Sequence, residues 1–312
     1  MVIPGQLLTL FDPTRKVRVA ILTNGINFLT NIKDLISLNF VDNIGAYADE
    51  LTFKVTNSYF RPKIGEKLEL YIGFSYYGTF IVKESTKTKN DLTIKATSSN
   101  FTDKLKEKKS RAWEKIKLCD LIAKIAKEHG LKHKCDIKGY IVHLAQESES
   151  DLNLLIKLSR DYHARFNIKN DTLIFIKYGI DKVPSFFALE SECESYSITH
   201  TTKPAYKSAK AIWHDTKENK TKEVVVGKGE PQLKIKDTFK NSADAKTKAK
   251  ASLKNITQGT VKGRLKIYGQ EFRAGATLKL TGFLEEDGLY NIDKVTHNIS
   301  SSYTVDVEFS KI

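Results

Sequence analysis

Apolar and polar residues alternate with a period of two over much of the first hundred positions. Leu51-Thr52-Phe53-Lys54-Val55, Leu68-Glu69-Leu70 and Leu92-Thr93-Ile94-Lys95-Ala96 each carry an apolar side chain at every second residue. That spacing puts the apolar groups on one face of a strand. Residues 18–22 and 26–29 are apolar runs on either side of Asn24-Gly25, a dipeptide that accepts positive φ and so marks a tight hairpin. No helical period occurs before Phe101. A set of antiparallel strands apolar on one face predicts a small barrel or sandwich.

The period then changes. Leu118, Leu121, Ile122, Ile125 and Ala126 form one helical stripe, with Gly130 placed to end it. Ser150-Asp151 is placed to cap a second helix carrying Leu152, Leu155, Leu158 and Tyr162 on or near one face. Residues 165–168 and 172–176 flank Asn170-Asp171 as a further hairpin. Strand patterns return at 197–199, 209–213 and 223–226, and again at 263–268 and 303–309. One helix interrupts them over 242–256, with Ala245, Ala249, Leu253 and Ile256 at helical spacing behind a Ser242 cap. The fold class predicted is mainly β with an α+β insertion: two related small antiparallel β-barrels flanking a helix-containing middle region. The corresponding domains are 1–100, 101–192 and 193–312, the last carrying the inserted helix.

A pattern of Gly, Leu and aromatic positions occurs twice. Gly65-Glu66-Lys67-Leu68-Glu69-Leu70, then Gly73-Phe74 and Gly78-Thr79-Phe80, is matched by Gly275-Ala276-Thr277-Leu278-Lys279-Leu280, then Gly282-Phe283 and Gly288-Leu289-Tyr290. Leu68 and Leu278, Leu70 and Leu280, Gly78 and Gly288, and Phe80 and Tyr290 keep one offset; only the Gly-Phe pair slips by a residue. A register shared across two strands and a turn predicts one β-unit used twice.

Charge and cysteine content narrow the function classes. The chain has 312 residues and a formal net charge of +14. Between Thr199 and Lys266, 17 Lys/Arg stand against 6 Asp/Glu, a field suited to polyanions or acidic partners, or simply a solvated lysine-rich face. No apolar stretch approaches the length of a membrane span, and Met1-Val2-Ile3-Pro4 lacks the order of a secretory signal. Cys119, Cys135 and Cys193 are too few and scattered for a disulfide framework, and a reducing compartment is expected.

Candidate chemistry is sparse. His129, His133 and Cys135 lie close together but lack the second ligand pair of a structural zinc site. Glu147, Glu149 and Asp151 sit where acidic residues favour a helix N-terminus. Trp113 and Trp213 lie beside apolar runs, which points to core packing or an interface. Lys246, Lys248, Lys250 and Lys254 share one helix without a nucleic-acid recognition motif. No catalytic, cofactor-binding or metal residue is assigned, and no enzyme is expected.

The order of these segments resembles the late control protein D family of contractile-tailed phages, baseplate hub proteins that are similar to the N-terminal part of type VI secretion spike proteins. The resemblance is carried by Ala48-Asp49-Glu50-Leu51, Pro62-Lys63-Ile64-Gly65, Gln146 through Asp151 leading to Leu155 and Leu158, Gly275 through Ile292, and Val295-Thr296-His297-Asn298-Ile299. The lysine content departs from the family, and no appended spike or lysozyme-type module follows the second barrel.

The resemblance implies a structural hub without a cofactor, assembled in the bacterial host cytoplasm into the virion tail baseplate. It implies a homotrimer whose two barrels per chain form a pseudo-six-fold ring joining the tail tube protein to the tail spike protein. It leaves room for non-specific DNA contact in the channel and implies no membrane insertion by this chain. Competing readings are a cell-wall or polyanion-binding adaptor using Trp113, and a cell-wall hydrolase using Glu147, Glu149 or Asp151.

Overall fold

The computed structural model describes residues 10–12, 17–29, 31–45, 47–98, 103–169, 171–177, 185–201, 206–215, 218–236, 239, 241–257 and 261–311. Eight strands come first: β1 (Leu10–Asp12), β2 (Val17–Thr23), β3 (Ile26–Asn27), β4 (Leu35–Asn43), β5 (Glu50–Thr56), β6 (Lys67–Ile72), β7 (Ser75–Lys87) and β8 (Asp91–Ser98). Then follow β9 (Lys108–Lys117), α1 (Leu118–Glu128), β10 (Lys132–Cys135), β11 (Tyr140–Ser150), α2 (Asp151–Asp161), β12 (Ala164–Lys169) and β13 (Thr172–Lys177). The chain continues through β14 (Ser185–Leu189), β15 (Cys193–His200), β16 (Ser208–Asp215), β17 (Lys220–Gly227), β18 (Gln232–Lys236) and α3 (Ser242–Thr257). It closes with β19 (Val261–Tyr268), β20 (Thr277–Thr281), β21 (Gly288–Ile299) and β22 (Tyr303–Lys311). The protein is mainly β, as the periodicity predicts.

Two compact units share this chain. One comprises Met1–Phe101, Val183–Ser197 and Gly263–Phe309; the other comprises Thr102–Lys182, Ile198–Lys262 and Ser310–Ile312. Each is assembled from separate stretches of sequence, so boundaries near residues 100 and 192 do not by themselves separate them. The stretch Ile198–Lys262 groups with the middle region.

The first unit is built on one long sheet containing two copies of the same strand order. The first copy runs β2-β6-β7-β8-β5-β4, and the second runs β14-β20-β21-β22-β19-β15. The doubled sequence pattern holds in the backbone. Leu68 pairs with Phe80 and Leu70 with Gly78; Leu278 pairs with Tyr290 and Leu280 with Gly288. Gly65 N donates to Val82 O at 2.9 Å, and Gly275 N donates to Ile292 O at 2.8 Å. Gly65 and Gly275 have φ of 88° and 83°, a conformation that glycine adopts without a Cβ penalty. One strand breaks the match: β2 runs antiparallel to β6, whereas β14 runs parallel to β20.

The first copy buries one face. Val19 and Ile21 of β2, Leu68, Leu70 and Ile72 of β6, and Leu51, Phe53 and Val55 of β5 are inaccessible to solvent. Phe40 of β4 packs edge-on to Phe80 of β7 at 5.6 Å between ring centroids, although β5 and β8 lie between those strands in the sheet. Rings on non-adjacent strands can meet only if the sheet curls around its apolar face.

The second unit is α+β. β9 and β11 form a two-stranded antiparallel ribbon, a pairing the charged run at 104–117 gave no hint of. β10-β13-β12 and β17-β16-β18 are two small sheets of similar make-up, each with one parallel and one antiparallel neighbour to its central strand. Ala245 and Ala249 of α3 pack on Ala209, Ala211 and Trp213 of β16 and on Phe239. The cap of α3 falls one residue earlier than expected: Asn241 Oδ1 accepts from Asp244 N at 3.0 Å, and Ser242 is the first helical residue. The Ser150 cap of α2 forms as predicted, accepting from Asn153 N at 3.2 Å. Asn170 of the hairpin turn and Lys203 of the basic stretch lie outside the described residues.

Candidate assembly surface

The two β copies of the first unit are joined by a strand pair. β4 lies antiparallel to the far half of β21, with Leu38 opposite Ile299, Phe40 opposite His297 and Asn43 opposite Lys294. Side chains reinforce the seam. Phe40 stacks on His297 at 5.6 Å, Tyr77 meets the same imidazole edge-on at 5.0 Å, and Asn39 Nδ2 donates to Asn298 Oδ1 at 2.7 Å. Arg273 lies 3.7 Å from the Tyr77 ring centroid and donates to Tyr76 O at 2.8 Å. Ala274 N donates to Asp42 Oδ2 at 2.8 Å, and Ser75 Oγ donates to Glu271. Burial drives the His297 pKa down to about 4, so the imidazole is neutral near pH 7. Its Nδ1 lies 2.8 Å from Tyr303 Oη.

The same strand positions are open at the other end of the repeat. β15 holds the place in the second copy that β4 holds in the first, and it is the last strand of the sheet order among the described residues. The half of β7 that corresponds to the β4-binding half of β21 pairs with β8 over Glu84–Lys87. On its other edge, the pairing with β6 stops at Ile81, and no further strand is paired there among the described residues. Among the described residues, one such junction is made within the chain and its two repeat-equivalent edges carry no paired strand. Their charges are opposite. Glu190, Glu192 and Glu194 are exposed at and before β15, Glu194 beside Lys266 at 2.9 Å. Arg61, Lys63, Lys83 and Lys87 are exposed on β7 and the loop leading into β6, with Glu84 of β7 bonded to Lys95 at 3.1 Å.

The candidate chemical residues are placed elsewhere, in the second unit. Cys135 is bonded to Cys119, with Cα atoms 5.6 Å apart, which corrects the expectation of unpaired thiols. The two lie 16 residues apart, and α1 followed by the turn into β10 brings them within bonding reach. His133 is exposed, while His129 Nε2 lies 2.8 Å from Asp151 Oδ2. The three suspected metal ligands therefore do not converge.

Asp151 is fully buried rather than a solvated dipole partner. It accepts from Lys109 Nζ at 2.6 Å, Arg111 Nη2 at 2.6 Å and Gln146 Nε2 at 2.9 Å. Burial opposes its ionisation, but hydrogen bonds from Lys109, Gln146 and His129 and the charge of Arg111 outweigh that, and its pKa falls to about 2. Glu128, His129 and Asp151 lie close enough to suggest a cation site, yet Lys109 and Arg111 already supply the positive charge. Glu147 is exposed and Glu149 half-buried, whereas Asp151 is buried, so the three acidic residues differ in environment. Trp113 is buried under the Arg111 guanidinium, 4.3 Å from its ring centroid, and donates to Gln146 at 3.2 Å. This network fastens the β9–β11 ribbon to the start of α2. Trp213 is core, edge-on to Phe239. Lys246 and Lys250 are exposed on α3, whereas Lys248 lies 3.6 Å from Asp161.

No protein-family model matches the chain. A probable baseplate hub protein of Escherichia phage 186 is 26% identical over 254 residues, which cover 73% of this chain and 65% of the relative. The match thus spans just under two thirds of that relative's length. A tail protein from Neisseria meningitidis MC58 has the same fold, with a TM-score of 0.70 at 12% identity over 95% of this chain and 96% of that one. The chain is similar in sequence to phage baseplate hub proteins and shares the fold of phage tail proteins. A component of the E. coli type VI secretion system also has this fold, with a TM-score of 0.56 at 10% identity over 93% of this chain and 76% of that one. The baseplate hub fold thus matches the resemblance read from the segment order.

Proposed function

We infer that this chain is a structural hub of a contractile tail baseplate, and that three copies close into a ring through the open halves of the repeated junction. The observation that carries the reading is the repeat itself. One strand junction is made inside the chain by β4 and β21, and its equivalents, β15 and the far half of β7, are left at opposite ends. β15 of one copy pairing with β7 of the next repeats the internal contact and is heterologous, so it closes as a ring when the rotation allows. Three chains with two β copies each give six similar units around one axis. Such a ring can meet a six-fold tube on one side and a three-fold spike on the other. The opposed charges of the two edges favour this pairing over random edge contact.

The ring reading makes two measurable claims. Mass measurement in solution gives three times the 35.3 kDa of the chain. Crosslinking of mixed ¹⁴N- and ¹⁵N-labelled protein gives β15–β7 peptide pairs that carry both labels. A strictly monomeric protein, alone and with its spike, would remove the reading; trimers crosslinked only through the second unit would remove the proposed junction. The basic face and any channel DNA contact are carried as part of this hub reading, as is location in the virion baseplate. The adaptor alternative predicts a monomer that binds glycan or polyanion.

A further inference from the structure

The slip in the repeated Gly-Phe pair has a structural resolution. Both copies have seven residues between the last Leu of the incoming strand and the Gly that opens the next: 71–77 between Leu70 and Gly78, and 281–287 between Leu280 and Gly288. The central residue of the first loop is Phe74, and that of the second is Leu284. Phe74 is 82% exposed and Leu284 is 88% exposed. Phe283, the sequence counterpart of Phe74, turns inward instead, 5% exposed and edge-on to Tyr196 at 4.9 Å. The loops therefore differ in sequence and in local shape but present a bare apolar side chain at the same position of the repeat.

A lone exposed apolar residue needs no explanation. A pair at one repeat position, in loops otherwise unlike each other, calls for a common cause. Phe60, 93% exposed, has the polar Gln270 at the equivalent place, and Ile64, 64% exposed, has Ala274 there. In a ring of three chains, a feature present in one copy recurs three times, and a feature present in both recurs six times.

We propose that Phe74 and Leu284 are equivalent contacts to a partner ring of six equal subunits, each offering one apolar seat, while Phe60 and Ile64 belong to a different surface. The proposal rests on the ring reading above and names the tail tube protein as the occupant. Arg18 lies 4.8 Å from the Phe74 ring centroid and steadies the ring from one side. Leu284 is held by its own turn, where Tyr290 Oη donates to Glu286 O at 2.8 Å.

The test uses the full chain and the tail tube protein made alongside it. Phe74→Asp and Leu284→Asp change solvent-facing side chains, and Asp tolerates the positive φ of 59° at Leu284. Each single variant is expected to keep the ring mass and to weaken tube association about tenfold, and the double variant about a hundredfold or more, as six contacts fall to three and then to none. Phe60→Asp is expected to leave tube association unchanged.

If only one tip affects tube association, the contact is three-fold and the proposal is overturned, as it is if Phe60→Asp has an equal effect. Loss of vesicle binding (phosphatidylcholine with phosphatidylglycerol) in the double variant, with tube association intact, would assign the tips to a lipid surface and overturn it. A wild-type chain that never forms the ring removes both readings. A ring with tube association insensitive to both tips removes this one alone.

Discussion

At the residue scale, two features of the β copies have measurable consequences. Gly65 and Gly275 hold the same positive-φ position, and no atom lies within 4 Å of a Cβ built on Gly65. Gly65→Ala therefore meets backbone strain rather than a clash, costing about 1 kcal/mol. Gly275→Ala has the same backbone cost, and denaturant melts of the two variants check it; a large inequality would show that the copies are not equivalent at this turn. His297 gives a pH dependence. Its folded pKa of about 4 lies below the ordinary 6.5, so the unfolded chain takes up the proton first. Stability is complete above about pH 6.5 and falls as pH drops toward 4, by about 3 kcal/mol over that window. Unfolding at pH 7, 5 and 4 should show the decline, and His297→Gln should flatten it. An unchanged slope in that variant would place the titration elsewhere.

At the element scale, the second unit depends on a cross-link. Cys119 opens α1 and Cys135 ends β10, so the disulfide ties a helix to the parallel edge of the β10-β13-β12 sheet. Closing a loop of this length in the unfolded chain is worth about 3 kcal/mol. Reductant should lower the melting temperature, and Cys119→Ser should melt low with or without it. Alkylation of both thiols in the untreated protein would show the bond absent. Element type was legible in the sequence wherever one period ran unbroken, as in β5, β8, α1 and α2. The β9–β11 ribbon was not, because Lys108 to Lys117 carries its apolar contacts on Trp113 and Ile116 alone. The Asp151 network was equally hidden: its partners lie 5 to 42 residues away along the chain, and only the ribbon register brings them together. The disulfide was misread for a similar reason, since spacing along a chain says little about Cα separation after a helix and a turn.

At the scale of the whole molecule, the two kinds of junction should respond differently to salt. The junction within the chain is sealed by Phe40, His297 and Tyr77, all buried, so added salt leaves it intact. At the repeat-equivalent positions of the open junction, His297, Arg273 and Glu271 are replaced by Lys87, Lys63 and Arg61. The neighbouring copy brings Glu190, Glu192 and Glu194 to the same edge, with Glu194 also bonded to Lys266 of its own chain at 2.9 Å. Exposed ion pairs of this kind are individually weak and lose range as the screening length shrinks from about 8 Å at physiological salt to about 3 Å at 1 M. The ring is therefore expected to fall apart into folded single chains as salt rises toward 1 M, with no change in the unfolding midpoint of those chains. Lys63→Glu with Lys87→Glu should produce the same separation at low salt, and charge reversal at Glu190, Glu192 and Glu194 in that background should restore the ring. Native mass measured across a salt series decides it. A ring that persists unchanged at 1 M would mean that the second junction is apolar like the first and lies on other residues.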